Sequence, residues 1–249
     1  MIYELFLAFI QAATEFLPVS SSGHLALADI IFKQKPNILF FTFLHLASLL
    51  AVVIFTRKEI IKLISFDRDY RKMWIYIIIA TIPAAIIGYL FNSKIENSFS
   101  SLLFLSLAFI FTGIILLFTK FSKESFNLNW KSSIFVGLFQ VIALFPGVSR
   151  SGMTISSGLF AGIEREKAAK FSFLLSIPVI LGAFFLELVK TPFDISLVYS
   201  WIFPFLICVA FSLLFLNFIY YIIRKGNFWM FSFYCFLTGI ICLLIYFFL

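Results

Sequence analysis

Three side chains suited to phosphate chemistry stand in two short polar breaks of an otherwise apolar chain. Glu15 and His24 flank the first break and Arg150 sits in the second. Residues 144–154 read LFPGVSRSGMT. The apolar stretches on either side, 134–145 and 155–163, are each too short to cross a bilayer, which takes about 20 residues. An arginine at bilayer depth costs about 2.5–3.5 kcal/mol on insertion scales. Such a residue faces a polar cavity and binds something. Pro146 and Gly147 break the first stretch, and Gly152 loosens the next. A helix beginning near Ser151 points free N–H groups where the guanidinium points, which is a phosphate-binding geometry.

The first break offers complementary groups. Gln11 and Glu15 are four residues apart, on one face of a helix. Pro18 ends that helix, and Ser20, Ser21, Ser22, Gly23 and His24 follow. If the two breaks meet, a phosphorylated ligand fits the combination best. Arg150, with Ser149 and Thr154, would neutralise and hold phosphate oxygens. Glu15, with Gln11 as a neutral oxygen ligand, would hold Mg²⁺ or Ca²⁺ or orient a nucleophile. His24 has the chemistry of a general base, a general acid or the nucleophile, and Ser20 or Ser21 could attack instead. Ser22 and Ser151 read equally well as helix caps. His45, alone in an apolar span, reads as a packing histidine, and Asp29 as a solvated acid.

The elements that position these groups follow from composition. Of 249 residues, 62% are hydrophobic and 12% charged, against roughly half and a quarter in soluble domains. The expectation is an all-α polytopic membrane protein, one integral domain over 1–249. Six full spans are expected at 38–56, 73–91, 102–119, 171–189, 201–223 and 228–249. Two re-entrant broken helix pairs are expected at 2–33 and 131–163. The net charge of +7 resides in short loops, as the positive-inside rule demands. It forms no stripe with exposed aromatics, so nucleic acid is excluded as a partner. Cys208, Cys235 and Cys242 lie inside spans without metal or disulfide spacing. Residues 1–4 lack the basic region of a cleaved signal peptide.

Loop charge sets an orientation. Loops 57–72, 120–131, 164–170 and 224–225 hold fourteen Lys and Arg, whereas Lys33, Lys35, Lys94 and Lys190 share the other side. This bias holds only if each broken pair enters and leaves on one side. The breaks also resemble each other: Gln11/Gln140, Phe16/Phe145, Val19/Val148, Ser20/Ser149, Ser22/Ser151 and Gly23/Gly152 coincide at an offset of 129. Opposite entry sides make this an inverted-topology repeat, about 1–119 against about 131–249, with its site at the midplane.

Residues 11–24, QAATEFLPVSSSGH, resemble the (E/Q)xxxE…LPVSSSGH motif of the bacitracin-resistance undecaprenyl-diphosphate phosphatases. Residues 146–154, PGVSRSGMT, resemble that family's PGxSRSxxT motif, and 171–178, FSFLLSIP, a third stretch. The resemblance runs over nearly the whole chain. It implies hydrolysis of undecaprenyl diphosphate to the monophosphate and inorganic phosphate, which recycles the lipid carrier of cell-wall synthesis. It further implies a divalent cation and a multi-pass place in the bacterial cytoplasmic membrane. The site would open to the outer face. By motif it carries over Gln11, Glu15, Ser20, Ser21, His24, Ser149, Arg150 and Thr154. Gln11 stands where many members have Glu. Expected partners are a polyprenyl diphosphate and membrane lipids, with homo-oligomerisation left open. The competing reading is a transporter or flippase that carries a lipid phosphate or an anion through the inverted-repeat cavity.

Overall fold

A computed structural model describes residues 2–65, 70–125, 127–190 and 195–248. Arg68, counted above among the loop cations, and Leu249, the expected end of the last span, lie outside the described residues. Among the described residues the regular elements are helices, with no strand. The helices are α1 (Ile2–Thr14), α2 (Ser21–Ile31), α3 (Ile38–Phe55), α4 (Arg57–Ile64), α5 (Arg71–Leu90) and α6 (Asn92–Ser98). They continue with α7 (Leu102–Phe118), α8 (Trp130–Ile142), α9 (Arg150–Phe160), α10 (Arg165–Lys190), α11 (Ile195–Arg224) and α12 (Phe231–Phe248). Among the described residues, six helices are long and apolar enough to cross a membrane, including Ile38–Phe55, Arg71–Leu90 and Arg165–Lys190. They fall where the apolar runs predict. The charged link 164–170 is mostly the opening of α10, and the basic loop after α3 folds in part into α4.

The two broken pairs are helical hairpins, α1–α2 and α8–α9, each packed leg against leg. α1 stops after Thr14 because Pro18 cannot continue it. Ser20 then caps α2, its hydroxyl accepting from the Gly23 amide at 3.2 Å. α8 opens on a capping box of Asn129 and Ser132. It stops ahead of Pro146–Gly147, where Gly147 takes φ +88°. Ser149 caps α9, accepting from the Gly152 amide at 3.0 Å. The same residue type performs the same task at equivalent positions of both hairpins.

Packing repeats this symmetry. α1 lies on α11 as α8 lies on α5, and α3 meets α11 as α10 meets α5. α7 pairs with α12, and α3 with α10, across the two halves. Exchanging α1, α2, α3, α5 and α7 for α8, α9, α10, α11 and α12 maps these contacts onto one another. The hairpin tips meet in the middle. The Gly147 amide donates to Ser20 Oγ at 3.1 Å, and Ser151 Oγ donates to the Leu17 carbonyl at 3.2 Å.

The basic loops gather at one end of the bundle. There Lys170 pairs with Glu59 at 3.0 Å, Arg165 pairs with Glu124, and the Lys120 ammonium lies 4.6 Å over the Trp229 ring. At the other end Lys190 pairs with Glu96 at 2.9 Å.

Close approach of the tips rests on glycine. A Cβ on Gly23 would stand 2.7 Å from Gly147 Cα and 2.7 Å from the Phe109 ring, whereas one on Gly182 meets nothing within 4 Å. Gly23→Ala therefore costs about 1–3 kcal/mol through overpacking. It lowers the thermal midpoint in detergent, and Gly182→Ala leaves the midpoint unchanged.

Candidate active site

A cavity of about 210 Å³ lies where the hairpin tips meet. Glu15, Ser20, Ser21, Ser22 and His45 line it from the first half, and Gln140, Ser149 and Arg150 from the second. Ile38, Phe41, Phe99, Leu144, Val179, Ile180 and Ala183 supply apolar wall. Ile38, Phe99 and Ala183 belong to the end of the bundle away from the basic loops. On the basic side, Phe16, Val19, Ile155 and Phe173 join one buried core that continues to Ile223 and Phe228. The cavity is thus closed toward the basic face.

Glu15 is the centre of its polar half. The carboxylate is only 2% exposed. Arg150 reaches across from α9 to Oε1. Three donors of the first half converge on Oε2: Ser21 Oγ at 2.5 Å, Gln11 Nε2 at 3.0 Å and His45 Nε2 at 3.3 Å. Such crowding has a physical cause. A carboxylate taken out of water loses several kcal/mol of hydration and must be matched by charge and hydrogen bonds. Arg150 is itself the first residue of α9, so its guanidinium and the free amides of that helix start share one location. α2 presents its own N-terminus from the facing hairpin. Two helix N-termini, a guanidinium and four serine hydroxyls suit the cavity to an anion with several oxygens.

Ser20 is strained as well as capped. It takes φ +67°, uncommon for a residue other than glycine, asparagine or aspartate. Its hydroxyl accepts from the amides of both Gly23 and Gly147. Those bonds across the interface hold the strained turn in place.

The site residues expected from the sequence divide into two groups. Glu15, Ser20, Ser21, Ser149 and Arg150 are brought together in the cavity. His24 is not among its lining residues. Nδ1 sits 2.7 Å from the Ser20 carbonyl and Nε2 2.8 Å from the Tyr234 hydroxyl, so the ring stacks against α12, outside the lining. Thr154 is turned away too. Its hydroxyl donates to the Arg150 carbonyl one helical turn back and lies 2.6 Å from Ser172 Oγ on α10. His45, read from sequence as packing, touches Glu15. Asp29, read as solvated, is 2% exposed and bonded to the Tyr3 hydroxyl at 2.5 Å. The isolated apolar context of His45 gave no local signal. Only the packing of α3 against the first hairpin brings it in.

Glu15 and Gln11, the expected cation ligands, face each other, and the buried Gln11 Oε1 has no protein partner. Gln11 turns its amide nitrogen to the carboxylate, as it must, since an amide oxygen there would repel it. Both Glu15 oxygens already face donors. Among the described residues, no three His, Cys, Asp or Glu side chains gather at metal-binding range.

A polytopic helical membrane protein with two helical hairpins meeting at a polar cavity is the class that this fold and site define. A family model for the bacitracin resistance protein BacA matches residues 4–241. The undecaprenyl-diphosphatase of Thermosipho africanus is 46% identical over 94% of this chain and 96% of its own length. The proteins of that name from Methanococcus vannielii and Methanobrevibacter smithii are 39% and 38% identical, covering 94% and 97% of this chain and 96% of each relative. The chain belongs to the bacitracin resistance protein BacA family.

Inorganic phosphate is the smallest ligand that this cavity should hold. At a hundred times its dissociation constant it stabilises the native protein by about 2.7 kcal/mol. Thermal unfolding in detergent shows that shift for the native chain and loses it for Arg150→Ala.

Proposed function

We propose that the chain hydrolyses undecaprenyl diphosphate to undecaprenyl phosphate and inorganic phosphate in the cavity between its hairpins. The observation that carries this reading is the contact of Glu15 with Arg150 and Ser21 at the meeting of two helix N-termini. The relatives' name agrees with that chemistry. The cavity is smaller than the roughly 300–1,000 Å³ pockets that enclose drug-sized ligands. The diphosphate enters, and the prenyl chain stays along the apolar wall and the lipid.

Arg150 turns its fork to the terminal phosphate, and the amides opening α9 bind a second oxygen. Of the serines, Ser21 is the one that donates to Glu15, so it is best placed to attack. Its oxygen forms a bond to the terminal phosphorus as the bond to the bridging oxygen breaks. Glu15 takes the Ser21 proton, and undecaprenyl phosphate leaves. Water then attacks the phosphoserine, and Ser21 regains its proton as phosphate departs. Ser20, engaged by two backbone amides, keeps the turn in shape, and Ser149 caps the helix that carries Arg150. The divalent cation belongs to this proposal as a companion of the diphosphate in solution, with Mg²⁺ or Ca²⁺ restoring turnover after chelation.

Sidedness follows from charge. With the basic end in the cytoplasm, the cavity faces the outer side of the membrane, and the substrate arrives from that leaflet. The apolar core beneath the cavity supports an enzyme with one open side over a transporter with alternating access.

Purified protein mixed with undecaprenyl diphosphate and Mg²⁺ releases phosphate. Arg150→Ala and Ser21→Ala each lower kcat by about 10²–10³-fold or more, the scale of one lost transition-state contact. Native-level release by either variant overturns its assignment.

A further inference from the structure

We propose that His45 is a positioning residue for the reaction: it holds Glu15 in place when Arg150 turns from that carboxylate to the substrate's phosphate. This rests on the phosphatase reading above. His45 projects from the middle of α3 into the cavity. Its two ring nitrogens face oxygen: Nδ1 lies 2.7 Å from the Phe41 carbonyl, and Nε2 lies 3.3 Å from Glu15 Oε2. The ring is thus held at both nitrogens, by its own helix and by the carboxylate. The ring's own turn of helix fixes its direction, since Phe41 is four residues back.

The two oxygens of Glu15 have different company. Oε1 faces Arg150 from the second half. Oε2 faces Ser21, Gln11 and His45, all from the first half. A phosphate in the cavity competes with Glu15 for the single guanidinium. When Arg150 moves to the phosphate, Gln11 and Ser21 remain as neutral donors. His45 is then the donor that reaches the carboxylate from outside the first hairpin. Among the described residues lining the cavity, the charged or titratable groups besides His45 are Glu15 on the first hairpin and Arg150 on α9. On α11, the Cys208 thiol lies 3.7 Å from Ser48 Oγ and donates to the Leu44 carbonyl at 3.6 Å, which directs it to α3 away from the imidazole.

The test compares native protein with His45→Ala and His45→Gln, measuring kcat and KM on undecaprenyl diphosphate. His45→Ala lowers kcat about 10–100-fold, the worth of one hydrogen bond to a charged group, while KM stays within about threefold. His45→Gln keeps an N–H donor and regains most of kcat near neutral pH. Native-level kcat in His45→Ala overturns the proposal, as does a loss confined to KM. If His45→Ala fails to fold, His45→Leu, which keeps bulk but offers no donor, takes its place, and native-level kcat in it overturns the proposal. Only two histidines occur in the chain, so ¹⁵N imidazole spectra give a readout independent of turnover. They show an Nε2 resonance shifted by the hydrogen bond to Glu15, and that shift is lost in Glu15→Gln. Its survival in Glu15→Gln contradicts the proposal. Absence of phosphate release from native protein sinks the phosphatase reading instead, and the spectra still decide whether His45 holds Glu15.

Discussion

One buried carboxylate governs the centre of this molecule. Glu15 can keep its charge at that depth only if donors replace the water it gave up. The first hairpin and α3 bring three of them, and the second hairpin brings the guanidinium. The ion pair therefore fastens the two halves of the chain at their meeting point. The glycines at the tips, the serine caps and the strained turn at Ser20 all serve the close approach that this pair requires.

The scaffold is duplicated, but the chemistry is divided. At the offset of 129, Glu15 falls opposite Leu144 and Arg150 falls opposite Ser21. Each half supplies one sign of charge and an apolar or neutral residue where the other half is charged. The matching features are structural: Ser20 and Ser149 cap, Gly23 packs on Gly147, and Gly152 packs near Pro18. The glutamines have also diverged. Gln11 donates to Glu15, whereas Gln140 donates to the Ala80 carbonyl of α5. Ser20 has φ +67° where Ser149 has φ −77°. A frame made twice thus carries a site made once.

Much of this was legible in the amino-acid order. Apolar run length located the six spans, and Pro18, Pro146 and Gly147 located the breaks. The cost of placing Arg150 in a membrane predicted a polar cavity, and the offset of the motifs predicted that the hairpins would meet. Side-chain direction was not legible. His24 and Thr154 sit in the right motifs, yet each turns to a partner beyond the cavity lining: His24 to Tyr234, some two hundred residues on, and Thr154 to Ser172. His45 shows the reverse. Its immediate neighbours in sequence, Leu44 and Leu46, are apolar, and its role appears only when α3 is laid against the hairpin. Local pattern specifies which segments bend. It does not specify which face of a short helix looks inward when the contacts come from distant helices.

The most direct measure of the central claim is a double-mutant cycle on the Glu15–Arg150 pair, read as thermal and denaturant stability of detergent-purified protein. Glu15→Gln and Arg150→Met each remove one partner and strand the other. The account predicts that both single variants are destabilised and that the double variant recovers much of the loss, with a coupling of about 2–3 kcal/mol, at the upper end for residues in contact. Strict additivity of the two changes would mean that the halves are joined by packing alone, and would contradict it.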